Sequence, residues 1–218
     1  MTEVGWFLAL VHAVRGRLEE AEAVALHTYD LYRRTRNRNA DAILEACLLG
    51  IRADQGRVDE ILDTTDPMAA GPFTAISRAC VAAFAAEAGR RALARDVMLT
   101  PADVARLPDD YFRQGAIVAT AQAWWHLDAH RGATGPLISL LEPTSHLLSY
   151  PGSTGPCLGP VALALARLHG LAGDTDTARR WAERAVDQCR RSRLPTWLAR
   201  ADADLARITA GAATAGGA

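Results

Sequence analysis

Small residues at fixed distances from a glycine constrain this chain more than any other feature. Around Gly173, Ala166 stands seven residues before, and Ala178, Ala182 and Ala185 stand five, nine and twelve after. Alanine at those places lets two antiparallel helices approach closely, and the glycine supplies the left-handed turn between them. Val161, Ala164, Leu165, Leu168 and Ala172 share one face of the first helix. Ala178, Trp181, Ala182, Ala185, Val186 and Cys189 share one face of the second, and Asp174 is placed to cap it. The same arrangement returns as Leu8-Ala9, Gly16, Ala21 and Ala25. Hairpins of this kind bury themselves by stacking on neighbours, which is the logic of an α-solenoid.

Glycines ahead of helical segments punctuate the chain at 16, 56, 89, 132 and 173, at intervals of 40, 33, 43 and 41 residues. Ile61 and Leu137 stand where a small residue should follow Gly56 and Gly132, which predicts looser packing in the middle. Periodicity and breakers place helices over 3–15, 18–35, 39–55, 57–65, 72–88, 90–98, 109–130, 135–148, 158–172, 175–191 and 195–209. Pro67, Pro72, Pro101, Pro108, Pro151 and Pro195 fall at or near the breaks. Asp109 or Asp110 is placed to cap the seventh of these helices. Strand signals are nearly absent.

The expectation is an all-α fold: a right-handed, tetratricopeptide (TPR)-like α-solenoid of about five helical hairpins with a C-terminal capping helix. Residues 1–210 form one repeat domain, and 211–218, a run of Gly, Ala and Thr, form a disordered tail. In the capping helix, Leu198, Ala201, Leu205 and Ile208 face inward, and Asp202 and Asp204 are turned away. The run Tyr150–Pro156, rich in Pro and Gly, is the clearest loop and a candidate functional one.

A net charge of −1 gives no global attraction for nucleic acid or an anionic membrane. The apolar run Trp6–Val14 is short of the ~20 residues a spanning helix needs. Cys47, Cys80, Cys157 and Cys189 are widely spaced and form no C-x-x-C pair, so neither a zinc knuckle nor a redox motif is expected. Such thiols read as buried hydrophobes of a reducing compartment, and a cytoplasmic location is expected.

The nearest approach to a metal motif is His126-Leu-Asp-Ala-His130, two histidines at i and i+4 with Asp128 between. It lacks the glutamate of H-E-x-x-H and an obvious third ligand. It reads as two histidines near a helix C-terminus, so no metal and no cofactor are expected. No phosphate-binding glycine loop, dinucleotide fingerprint or nucleophile elbow is present, and no enzymatic activity is expected. Trp124 and Trp125 point about 100° apart on a helix. One is expected in the core, and the other is free to line a groove. The clusters Arg33, Arg34, Arg36, Arg38 and Arg190, Arg191, Arg193 each close a helix and read as solvated helix ends.

Several stretches follow one another in a recognisable order. They are Gly16-Arg-Leu-Glu-Glu-Ala-Glu-Ala, Arg33–Asn39, Gln55-Gly-Arg-Val-Asp-Glu-Ile and Leu107-Pro-Asp-Asp-Tyr-Phe, then Leu137–Pro151 and Gly159–Ala206. The order resembles the C-terminal TPR region of bacterial STAND-type signalling ATPases, regulators joined to nucleotide-cyclase or LuxR-type DNA-binding domains. The resemblance implies a helical sensor or scaffold arm that detects a protein or small molecule and controls an attached NTPase, with a protein or peptide partner such as an ATPase or DNA-binding domain. The chain itself carries no Walker motif, cyclase or helix-turn-helix, so the family's catalysis and DNA binding do not follow. The first helices of the hairpins are expected to line the concave binding face, which nominates Tyr111, Arg113, Trp124 and His126. The alternative is a small-molecule effector held in the groove near residues 150–158.

Overall fold

Six helices of this chain end in one way. At Gly173 the backbone turns left-handed (φ +83°). Its N–H bonds the Gly170 carbonyl at 3.2 Å, and the next N–H, of Asp174, bonds the His169 carbonyl at 3.0 Å. Gly16, Gly56 and Gly89 repeat that pair of bonds with φ of +75°, +74° and +79°. The pairing satisfies carbonyls that a helix end leaves open, and glycine enters the left-handed region without strain. Asp128 (φ +56°) and Arg193 (φ +53°) make the same turn with side chains in place. The fourth turn therefore falls at Asp128 and not at Gly132, which lies in a 3-10 turn, Arg131–Ala133.

The structure is a computed structural model that describes residues 2–35, 39–64, 74–152 and 154–215. Its helices are α1 (Thr2–Val14), α2 (Leu18–Arg33), α3 (Ala40–Asp54), α4 (Asp59–Leu62), α5 (Thr74–Glu87) and α6 (Arg91–Val97). They continue with α7 (Pro101–Ala105), α8 (Arg113–Leu127), α9 (Gly135–Leu141), α10 (Val161–Ala172), α11 (Thr175–Ser192) and α12 (Pro195–Ala215). The described residues are all-α; their single β feature is an isolated antiparallel bridge between Leu148 and Pro160.

Several boundaries differ from expectation for local reasons. The Asp110 side chain accepts from the Phe112 N–H at 2.9 Å, making a turn that holds the helix back to Arg113. Pro143, which cannot donate, ends α9 in a 3-10 turn at Glu142–Thr144. The short α7 was not expected. Thr100 and Asp103 cap it reciprocally, with Pro101 at its first position. The segment given to a tail is helical as far as Ala215.

Packing follows a regular order. α1 pairs with α2, α3 with α4, α5 with α6, α8 with α9 and α10 with α11. The first members also touch in series, α1 on α3, α3 on α5, α5 on α8, α8 on α10 and α10 on α12. Alanines at 9, 21, 25, 82, 94, 166, 178, 182 and 185 are fully buried at these contacts. The small-residue spacing thus marks real close approaches, at the ends and at Gly89 alike.

The first and last thirds of the chain also meet. Arg15 at the end of α1 donates from Nη1 to the Ser192 carbonyl at 2.8 Å, and Gly16 lies against Pro195. Residues 147–161 fold back on themselves through Ser149 N–H to Gly159 O and Leu158 N–H to Ser149 O, both 2.8 Å. The loop lies against Gly50 of α3 through Pro156, and against Gly115 of α8 through Pro151 and Leu158. Pro151, Gly155, Pro156, Leu158, Gly159 and Pro160 are all buried. Much of this loop, expected to be a functional one, packs between α3 and α8.

Candidate functional site

The four nominated residues do not form a shared surface. Trp124 has no exposed area; its indole N–H donates to the Leu99 carbonyl at 2.9 Å, and its ring lies 4.7 Å from that of His130. Tyr111 is 69% exposed, with its ring against Phe112 and Gly152. Arg113 pairs with exposed Asp109 at 3.1 Å. His126 is half-buried, and burial pushes its pKa down to about 4, with the charge on Arg167 acting in the same direction. It is neutral at pH 7, and its Nε2 has no protein partner.

Nor does a metal pair form there. α8 stops at Leu127, and both Asp128 and His130 take left-handed backbone, so the i, i+4 register of the two histidines is lost. Asp128 instead holds Arg131 at 2.7 Å. Among the described residues no three His, Cys, Asp or Glu side chains come together as a metal site.

Both adjacent tryptophans are core residues, against the expectation of one in a groove. α8 is buried continuously from Gly115 to Trp125 because α5, α9 and α10 surround it. Trp125 donates its indole N–H to Asp204 Oδ1 at 2.7 Å, and the other oxygen of Asp204 takes Arg167 Nε at 2.7 Å. Arg167 Nη1 reaches Gln122 Oε1 at 3.3 Å, and Gln122 Nε2 donates to Glu87 Oε2 at 2.8 Å. Glu87 Oε1 takes Arg200 Nε at 2.6 Å, and Arg200 Nη1 ends the chain on Asp54 Oδ1 at 2.7 Å. One polar line thus joins α3, α5, α8, α10 and α12, with each carboxylate held by an arginine. Asp204, expected to face solvent, is buried near one end of it.

Burial raises the pKa of Asp54, and the charge and hydrogen bond of Arg200 oppose the rise. The cavity beside Asp54, lined also by Leu10, Cys47, Pro156 and Cys157, measures about 20 Å³. That is room for roughly one water.

Two other features lie on the surface. α1 carries two apolar stripes on opposite sides. Trp6, Ala9, Leu10 and Ala13 are buried, whereas Val4, Phe7 and Leu8 are 61%, 49% and 45% exposed, with Val11 half-buried beside them. The second feature is a pocket of about 570 Å³ lined by Arg15, Arg17, Arg191, Ser192 and Arg193. The other cluster keeps Arg33 over the Tyr29 ring at 5.5 Å; Arg36 and Arg38 lie outside the described residues.

No signal in the local sequence brings Arg15 and Arg17 to Arg191 and Arg193. The buried pair was more accessible. Asp204 sits three residues after Ala201 and four before Ile208, and Arg167 three after Ala164 and four before Leu171, each on its helix's apolar stripe. No family model matches the chain, and no curated protein or solved structure matches it either. Among the described residues no helix is long and apolar enough to cross a membrane.

Proposed function

We propose that the chain is a non-enzymatic protein-interaction module, a TPR-like α-solenoid that docks on a partner domain through the outer face of α1. The observation that carries this reading is the second apolar stripe, Val4, Phe7, Leu8 and Val11, at the i, i+3, i+4, i+7 spacing of a helix-packing face. Every later inner helix rests on the one before it, so the occupant that fits this stripe is a helical surface of similar shape. The serial contacts of α1, α3, α5, α8, α10 and α12 support the solenoid reading. The resemblance to the TPR arms of STAND-type regulators supports an ATPase or DNA-binding domain as the partner.

A protein partner is favoured over an effector held beside residues 150–158. The loop packs against α3 and α8 there, and the cavity at Asp54 measures about 20 Å³. The same packing weighs against catalysis by the buried carboxylates, since each is engaged by an arginine and the cavity at Asp54 holds roughly one water.

The test is site-specific photo-crosslinking in native cells from position 8, with position 111 as the comparison. The expected result is one heterologous product from position 8, containing an ATPase or DNA-binding domain, which disappears in the Phe7→Glu, Leu8→Glu double variant while its Tm is unchanged. Crosslinking of the chain only to itself, or equal products from both positions, would sink the proposal.

A further inference from the structure

Four arginines set in two places of the sequence meet at one place in the fold. Arg15 and Arg17 flank the turn between α1 and α2, and Arg191 and Arg193 flank the end of α11; with Ser192 they line the 570 Å³ pocket. Arg15 is fixed there by its bond to the Ser192 carbonyl. Among the described residues, the guanidinium groups of Arg17, Arg191 and Arg193 have no hydrogen-bond or carboxylate partner. Glu19 and Glu20, in the first turn of α2, are not part of the lining.

Helix ends explain part of this. α1 and α11 both terminate here, and a cation offsets the partial negative charge of a helix C-terminus. Arg15 does so directly. Arg193, the C-cap of α11, takes the left-handed turn position that Gly16, Gly56, Gly89 and Gly173 fill elsewhere, where a side chain adds strain. Asp128, the other side chain tolerated at that position, is used by Arg131. The backbone N–H of Arg193 closes α11 on the Arg190 carbonyl, while its side chain holds a strained position with no partner for its charge among the described residues. An unpaired charge held at a strained position is a candidate for ligand contact.

Four guanidinium groups around one concavity repel each other until an anion enters. Their planar forks match phosphate oxygens in pairs. The lining includes no aromatic or aliphatic residue that could stack a base or hold a hydrocarbon. The concavity is open to solvent and its four arginines are exposed, so a small anion can reach all of them directly. We infer that this pocket binds a compact oligophosphate, a small polar molecule with two or more phosphoryl groups, of which pyrophosphate is the simplest. Each turn contributes one arginine pair, so the bound anion ties the α1–α2 turn to the α11–α12 turn. The site is separate from the outer face of α1 and stands or falls independently of the docking proposal.

Calorimetric titration of the full chain with inorganic pyrophosphate at low ionic strength tests this, with inorganic phosphate and a polyglutamate peptide in parallel. Pyrophosphate is expected to bind saturably, one per chain, roughly tenfold tighter than phosphate, and to weaken steeply with added salt. It should also raise the Tm, since it binds only the folded state. Arg17→Ala and Arg191→Ala should each weaken binding roughly tenfold. Arg193→Gly is the most informative variant. Glycine relieves the strained turn, so the unliganded Tm should hold or rise while affinity falls by a similar factor. Absence of saturable binding overturns the inference, as does affinity indifferent to these substitutions. Binding of polyglutamate without pyrophosphate overturns it in favour of an acidic protein segment.

Discussion

The indole N–H of Trp125 donates to Asp204 Oδ1 at 2.7 Å across 79 positions of the chain, and the second oxygen of that carboxylate takes Arg167. One side chain of α12 therefore satisfies a donor on α8 and a charge on α10. Both members of the ion pair are almost wholly buried, at 2% and 8% side-chain exposure. Such a pair is weakly stabilising as a whole, but removing one half leaves the other charged in a low-dielectric interior.

Asp204→Ala is expected to destabilise the fold by about 3–5 kcal/mol in urea unfolding. The double change Arg167→Met, Asp204→Leu should recover most of that loss, because no charge is stranded. Equal losses in single and double variants would show that packing, and not the orphaned charge, dominates.

Gly159 and Gly173 both take positive φ, yet their surroundings predict different costs. A Cβ on Gly173 meets open space, so Gly173→Ala should cost only about 1 kcal/mol for the left-handed backbone. A Cβ on Gly159 would lie 2.3 Å from Trp197 Cε3, inside a ring that is itself buried. Gly159→Ala should exceed about 3 kcal/mol, as overpacking adds to backbone strain. Chemical denaturation of the two variants checks the ranking.

Burial, aided by the charge of Arg167 and opposed by Glu87 and Asp204, brings the pKa of His126 from 6.5 to about 4. The unfolded chain takes up this proton near pH 6.5, while the native state refuses it until about pH 4. The stability tied to the neutral imidazole is therefore complete above pH 6.5 and is lost as the pH falls through that window, an effect of order 3 kcal/mol. Urea unfolding at a series of pH values should show a shallower decline between pH 6.5 and 4 for His126→Gln than for the parent. Superimposable declines would refute the assignment.

Burial pushes the thiols of Cys47, Cys80 and Cys189 up to about 12 and that of Cys157 up to about 11. None offers thiolate at neutral pH. A disulfide reagent should label the native protein slowly and all four cysteines promptly once it is unfolded. Fast labelling of any one in the native state would contradict its burial.

The sequence made the hairpins legible because their rules are local. Gly16, Gly56, Gly89 and Gly173 sit at the turns, and the Asp174 side chain accepts from the Thr177 N–H as its position implied. Where a turn used Asp128 in place of glycine, the reading slipped four residues to Gly132. The interior polar line was misread for a different reason. A charged residue such as Asp204 is assigned to solvent by default, and only the position of Arg167 across the interface reverses that. Trp124 looked available because nothing along α8 says that neighbours cover it on every side. The arginine pocket depends on contacts between the two ends of the fold, which no local pattern encodes.

Arg200 on α12 reaches Asp54 and Glu87, and Arg15 reaches Ser192, over separations of 146, 113 and 177 residues. A ribosome makes α3, α5 and α8 long before it makes α12. Until α12 emerges, Asp54 and Glu87 wait for Arg200, and the Trp125 indole waits for Asp204. Hairpins closed by their own contacts can set one by one as they are made. Here α12 brings the partners of charges and donors on α3, α5, α8 and α10, so those helices complete their polar contacts only after it has been made.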